Sequence, residues 1–271
     1  MRRGQALPAA RDSRTAALAE YTALRDRADA APEEWGVLGV RLMRLGEYPV
    51  AVDAFQRQFA ADSSAAPLYN EACAWALAGK TLFALGALER SILSGFEDAD
   101  QMASDSDLAS LHGDPRFARL VALTRRLEMH GSWPASENPG QWRALSAEAQ
   151  KLVREHPEIG RAWFNLGYTK LALGDTAGTV DAFQRALARG YRTAHTAYNL
   201  ACANARAGRN REAVDWLGRA EAAGFRIADQ APWDPDLTSL RDDPRFRELA
   251  THWTHQRNAA WTQKLNQKTL E

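Results

Sequence analysis

The sequence predicts an all-α protein built twice from one module, and three observations carry that prediction. Apolar residues recur at helical spacing in segments of about 12 residues, punctuated by single glycines. A helix–turn–helix pattern recurs within each half, from Leu38 to Glu71 and from Leu166 to Leu200. The second half then repeats the first. Leu38-Gly39, Gly46 and Val52-Asp53-Ala54-Phe55-Gln56-Arg57 return 128 residues later as Leu166-Gly167, Gly174 and Val180-Asp181-Ala182-Phe183-Gln184-Arg185. Tyr69-Asn70 and Ala72-Cys73-Ala74 return after 129 as Tyr198-Asn199 and Ala201-Cys202-Ala203. Leu88, Arg90, Gly95 and Phe96 match Leu217, Arg219, Gly224 and Phe225. Asp107, Leu108, Ser110, Leu111 and Asp114-Pro115-Arg116-Phe117 recur as Asp236, Leu237, Ser239, Leu240 and Asp243-Pro244-Arg245-Phe246.

In chain order, residues 1–12 read as a loose tail. A helix is expected from Ser13 to Ala30, with Leu18, Tyr21, Leu24 and Ala28 on one stripe and Pro32 ending it. A pair of helices follows around the turn at Gly46, and a second pair around Gly79. The Asp107–Phe117 run reads as a short helix, a stop and a new start, with Asp114 as cap and Pro115 at the first helical position. Residues 131–140, rich in Pro, Gly and Ser, read as a linker between an N-terminal module, 1–130, and a C-terminal module, 141–271. Ala144 to Glu155 is helical, the pairs restart, and Arg245 to Glu271 reads as one long terminal helix. About 14 helices are expected in total.

Composition narrows the function classes. The 271 residues hold 34 basic and 34 acidic side chains, so no basic excess points to nucleic acid or an acidic membrane surface. The basic residues are nearly all Arg, which reads as the codon usage of a GC-rich bacterial genome, phosphate recognition being the other reading. The two cysteines, Cys73 and Cys202, sit at matching points of separate modules and read as buried core residues rather than a disulfide. The basic N-terminus lacks an apolar run after it, and no stretch approaches transmembrane length. The expected location is the cytoplasm, or the periplasm or exterior if a signal peptide has been removed.

The helix pair, with Trp163, Leu166-Gly167, turn Gly174, Phe183 and Ala186, and with Pro157 six residues before Trp163, resembles the tetratricopeptide repeat. The likeness covers roughly residues 34–95 and 158–225. It implies a right-handed α-α superhelix, with Gly39, Ala72, Gly167 and Ala201 allowing close approach within pairs and Phe55, Leu88, Phe183 and Leu217 filling the gap to the next pair. Glu71 stands where the family has Leu, and Thr179 where it has Ala. Each module holds two full repeats, where about three are usually needed. The Asp-Pro-Arg-Phe runs therefore read as lids, with Leu108, Leu111, Phe117 and Leu120, and Leu237, Leu240, Phe246 and Leu249, covering the open ends. Helices 13–30 and 141–155 would cover the other ends. Short bacterial tetratricopeptide modules end in the same signature.

In that family the first helix of each pair lines a concave groove, and an Asn just before the Leu-Gly can hold a bound peptide backbone. The matching residues are Asn70, Asn165 and Asn199, with Val37 in the first repeat. An amide offers a donor and an acceptor to an extended chain. The alternative is that these amides bond only within the scaffold. By the same spacing Tyr69, Arg161, Phe164, Tyr168, His195, Tyr198 and Arg206 are groove-facing candidates, suited to an apolar or aromatic peptide carrying a carboxylate, or else they pack between helices. Glu248, His252 and His255 on the last helix are the one metal-like spacing, with a solvated helix face as the alternative. Trp253 and Trp261 share a face, for packing or docking. No nucleophile elbow, phosphate loop or CxxC is present. The expectation is a non-enzymatic, cofactor-free adaptor that grips a protein or peptide. A small metal-dependent hydrolase and a structural subunit of a larger assembly are the competing readings.

Overall fold

The computed structural model describes residues 8–128 and 138–254. Among them there is no strand, and the helices pack in neighbouring pairs. The chain forms two compact units, Met1–Ser132 and Trp133–Glu271.

In the N-terminal unit α1 (Pro8–Arg25) leads into the pairs α2 (Pro32–Arg44) with α3 (Tyr48–Asp62) and α4 (Ala65–Leu77) with α5 (Thr81–Leu93). α6 (Ala99–Ser104), a 3-10 helix (Ser106–Leu111) and α7 (Pro115–Leu127) close the unit. Three expected boundaries move. α1 begins at Pro8, inside the expected loose tail, rather than at Ser13. α1 ends at Arg25, well before Ala30, and Pro32 opens α2 rather than ending α1. Proline forbids the helix before it but fits the first helical position, where its missing N–H has no intrahelical acceptor.

The close approach read from Gly39 is literal. A Cβ there would lie 2.6 Å from the Phe55 ring, and Phe55 itself is fully buried. α1 lays Ala17 and Leu24 against Trp35, Leu38 and Leu42, covering the first pair. Leu108 and Leu111 of the 3-10 helix are fully buried and Phe117 nearly so, while Leu120 is half-buried. Burying three such side chains is worth roughly 4–9 kcal/mol gross. Ser110 ties this lid to α4 by donating to the Ala76 carbonyl at 3.2 Å, and Asp114 caps α7 by accepting from the Arg116 amide at 2.8 Å.

The C-terminal unit repeats this order: α8 (Pro139–Glu155), the pairs α9 (Gly160–Ala172) with α10 (Thr176–Leu187) and α11 (Thr193–Arg206) with α12 (Asn210–Ala222), then α13 (Ile227–Gln230), a 3-10 helix (Pro235–Leu240) and α14 (244–254). Pro139 and Gly140, expected in the linker, belong to the first turn of α8, where Asn138 Oδ1 accepts from the Gly140 amide at 3.0 Å. The rest of that linker, and the terminal helix beyond residue 254, lie outside the described residues. A Cβ at Gly167 would meet the Phe183 ring at 2.6 Å, as at Gly39. Leu237, Leu240 and Phe246 are buried with Leu249 packed against them, and Ser239 donates to the Ala205 carbonyl at 3.0 Å. The duplication reaches the backbone: Ser63 and its counterpart Arg192 both take left-handed φ, 54° and 42°.

Candidate functional site

The first helices of the pairs, α2 and α4 in one unit and α9 and α11 in the other, carry the residues predicted to bind. The structure sorts them. Asn70 on α4 and Asn199 on α11 occupy equivalent points and are both half-buried, reaching the surface. Neither side chain makes a hydrogen bond to the described residues, so both keep an unspent donor and acceptor. Val37, at the corresponding point of α2, is 72 % exposed. Tyr168 is half-buried, 6.1 Å from the Trp142 ring, and burial with Asp236 and Asp234 nearby pushes its phenol up. Arg206 is exposed, 3.7 Å from Asp236 Oδ1. His195 is exposed but its ring meets Phe225 edge-on; the partial desolvation of that face, then Arg192, lowers its imidazole pKa.

The other candidates do not share that surface. Asn165 is fully buried and Arg161 almost so, because α8 packs along α9. Phe164 lies between Phe183 and Tyr191, 5.5 Å from each ring, which is core packing. No Arg–aromatic pair for a carboxylate therefore opens on α9. Tyr69 and Tyr198 are buried too. Tyr69 stacks on Phe96 at 4.4 Å and donates to Asp105 Oδ2 at 2.8 Å; Tyr198 stacks on Phe225 at 4.3 Å and donates to Asp234 Oδ2 at 2.7 Å.

Those two aspartates were missed. They recur at the same offset as the lid residues (105 to 234), and that was the signal available. Each caps its 3-10 helix, accepting from the Asp107 or Asp236 amide at 2.9 Å, and each accepts from a buried thiol at 3.7 Å, Cys73 or Cys202. A thiol sulfur and two carboxylate oxygens lie within 4.8 Å of one another in each unit, Cys73 with Asp105 and Asp107, and Cys202 with Asp234 and Asp236. That donor set suits a cation in principle. The thiols, however, are held protonated: burial first, then the facing aspartates, push both Cys73 and Cys202 well up. Ellman's reagent at pH 8 should leave both thiols untouched in the folded protein and titrate both in guanidinium.

The cluster's duty is to join the lid to the second pair. Asp105→Ala removes a cap, worth about 0.5–2 kcal/mol, and strands a buried phenol. A loss of about 2 kcal/mol is expected by urea unfolding, and Asp234→Ala should match it to within about 0.5 kcal/mol.

Only part of the metal-like spacing falls within the described residues. His252 Nε2 is 3.9 Å from Glu221 Oε1 on α12, Glu248 is exposed, and His255 lies outside the described residues. Trp253 is buried in the core against Phe246, which settles it as packing; Trp261 lies outside the described residues. Among the described residues no helix is long and apolar enough to cross a membrane. No protein-family model and no curated protein matches the sequence.

Proposed function

We propose that this chain is a non-catalytic adaptor that holds a peptide or an extended partner segment on the first helices of its pairs. What supports the reading is the pair Asn70 and Asn199: two amides at equivalent points, both reaching the surface, both with donor and acceptor unspent on the described scaffold. A side-chain amide can pair with one residue of an extended backbone through both of its groups, independently of the ligand's side chains. The buried Asn165 takes no part, so each unit holds its ligand through one amide rather than a ladder.

The test is a displayed random-peptide library selected on the purified chain, with the Asn70→Ala/Asn199→Ala double variant as the comparison. Each site loses one amide and with it two hydrogen bonds, at about 1 kcal/mol each, which should weaken the selected peptides roughly tenfold or more. Equal affinity for both proteins would defeat the proposal.

A further inference from the structure

The N-terminal unit has an opening beside its first pair of helices. Between α1 and α2 runs a groove of about 470 Å³, lined by Glu20, Ala23, Leu24, Arg27, Glu33, Glu34 and Val37. It is an open groove whose volume has room for one or two side chains. Its apolar lining is Ala23, Leu24 and Val37; Leu24 is buried, and Ala23 and Val37 are exposed. At the corresponding points of α9, Arg161 (for Glu33) and Asn165 (for Val37) are buried. The repeat therefore does not require the opening.

The rim is acidic. Glu20 is spent on Arg41 at 2.5 Å, and Glu34 on Arg27 at 2.7 Å. Arg27, the one cation on the lining, also binds Asp29 at 3.2 Å. Glu33 is exposed, one turn from Val37, and has no ion-pair partner among the described residues. The surrounding unit leans the same way: Met1–Ser132 holds 18 Asp and Glu against 15 Lys and Arg. An apolar slot with an open carboxylate at its edge complements an apolar side chain followed by a cation.

We infer that the α1–α2 groove binds a peptide segment in which an apolar residue stands next to Arg or Lys. The inference rests on the adaptor reading and adds the ligand's chemistry: Val37 continues the row of Asn70, so a chain held by Asn70 would place such a side-chain pair here.

The experiment is a titration of the full chain, carbon-13-labelled at its Leu and Val methyls. The ligands are three synthetic Gly/Ser octapeptides whose central four residues are Leu-Arg-Leu-Arg, Leu-Glu-Leu-Glu or Ser-Arg-Ser-Arg. The first should shift the Leu24 and Val37 methyls, with the other two at least tenfold weaker. Val37→Asp should abolish the response. Glu33→Arg should weaken the Leu-Arg peptide and strengthen the Leu-Glu one. Equal response to the Leu-Glu peptide, or Val37 and Leu24 unmoved by the Leu-Arg peptide, would overturn the inference. So would concentration-dependent shifts of these methyls without peptide, which would assign the groove to a second copy of the chain. Shifts confined to Leu77 on α4 would overturn the groove while leaving the adaptor reading standing.

Discussion

Phe183→Ala should cost the protein about 3–5 kcal/mol, read as a fall in the urea midpoint. Phe183 is fully buried, and its ring fills the space between α9 and α10 that Gly167 leaves by having no side chain. Phe164 touches it at a centroid distance of 5.5 Å, and Ala182 and Ala186 beside it are also buried. Rigid helices with small side chains cannot collapse into a phenyl-sized hole, which places the site at the costly end of the cavity range. The converse change is informative as well. Gly167→Ala drives a methyl to 2.6 Å from the same ring and should cost about 1–3 kcal/mol through overpacking. In the double variant the methyl enters the vacated space, so the two losses should sum to less than their parts. Strict additivity would mean that the glycine and the ring are not the paired device described here. Gly39 with Phe55 offers the same experiment in the other unit.

That pairing was legible because it is local and periodic: a glycine on one helix, a large ring on the next, a fixed spacing, and a second copy to confirm it. The lids were legible for the same reason, since Asp114 and Pro115 announce a helix start in adjacent residues. Proline punctuation was ambiguous. Pro32 looked like a stop and Pro139 like part of a linker, and both are starts, because the residue is excluded from helix interiors and welcome at the first position. The binding candidates were the least legible. Helical spacing assigns Asn70, Asn165 and Asn199 to one face, but which of them meets solvent depends on how a neighbouring helix lies, and α8 lies along α9. Tyr69 and Tyr198 share a stripe with Cys73 and Cys202, one turn apart, and only the folded chain brings Asp105 and Asp234, 36 residues further on, to their hydroxyls.

Glu71→Leu should stabilise the protein by about 1–4 kcal/mol. Glu71 is buried in α4, its side chain 3 % exposed, at the point where the twin unit has the fully buried Leu200. One carboxylate oxygen accepts from Arg90 at 2.7 Å, Gln56 at 3.0 Å and the Trp75 indole at 3.2 Å; the other, Oε2, is buried without a partner. Desolvating a carboxylate costs several kcal/mol, and here only one of its oxygens recovers hydrogen bonds. Leucine removes that cost. The three donors it abandons are not stranded, since Gln56 is exposed, Arg90 is half-exposed and Trp75 is half-buried, so water can replace the carboxylate. Arg90→Met is the opposite case. It leaves the buried charge with two neutral donors and should destabilise by about 3 kcal/mol, the lower end for breaking a buried pair because Arg90 is itself half-exposed. The Glu71→Leu/Arg90→Met double variant should recover the stability of Glu71→Leu alone. Loss of stability in Glu71→Leu would show that the three hydrogen bonds outweigh desolvation. The carboxylate would then be holding Trp75, which packs 5.0 Å from the exposed ring of Phe83, at a net gain to the fold.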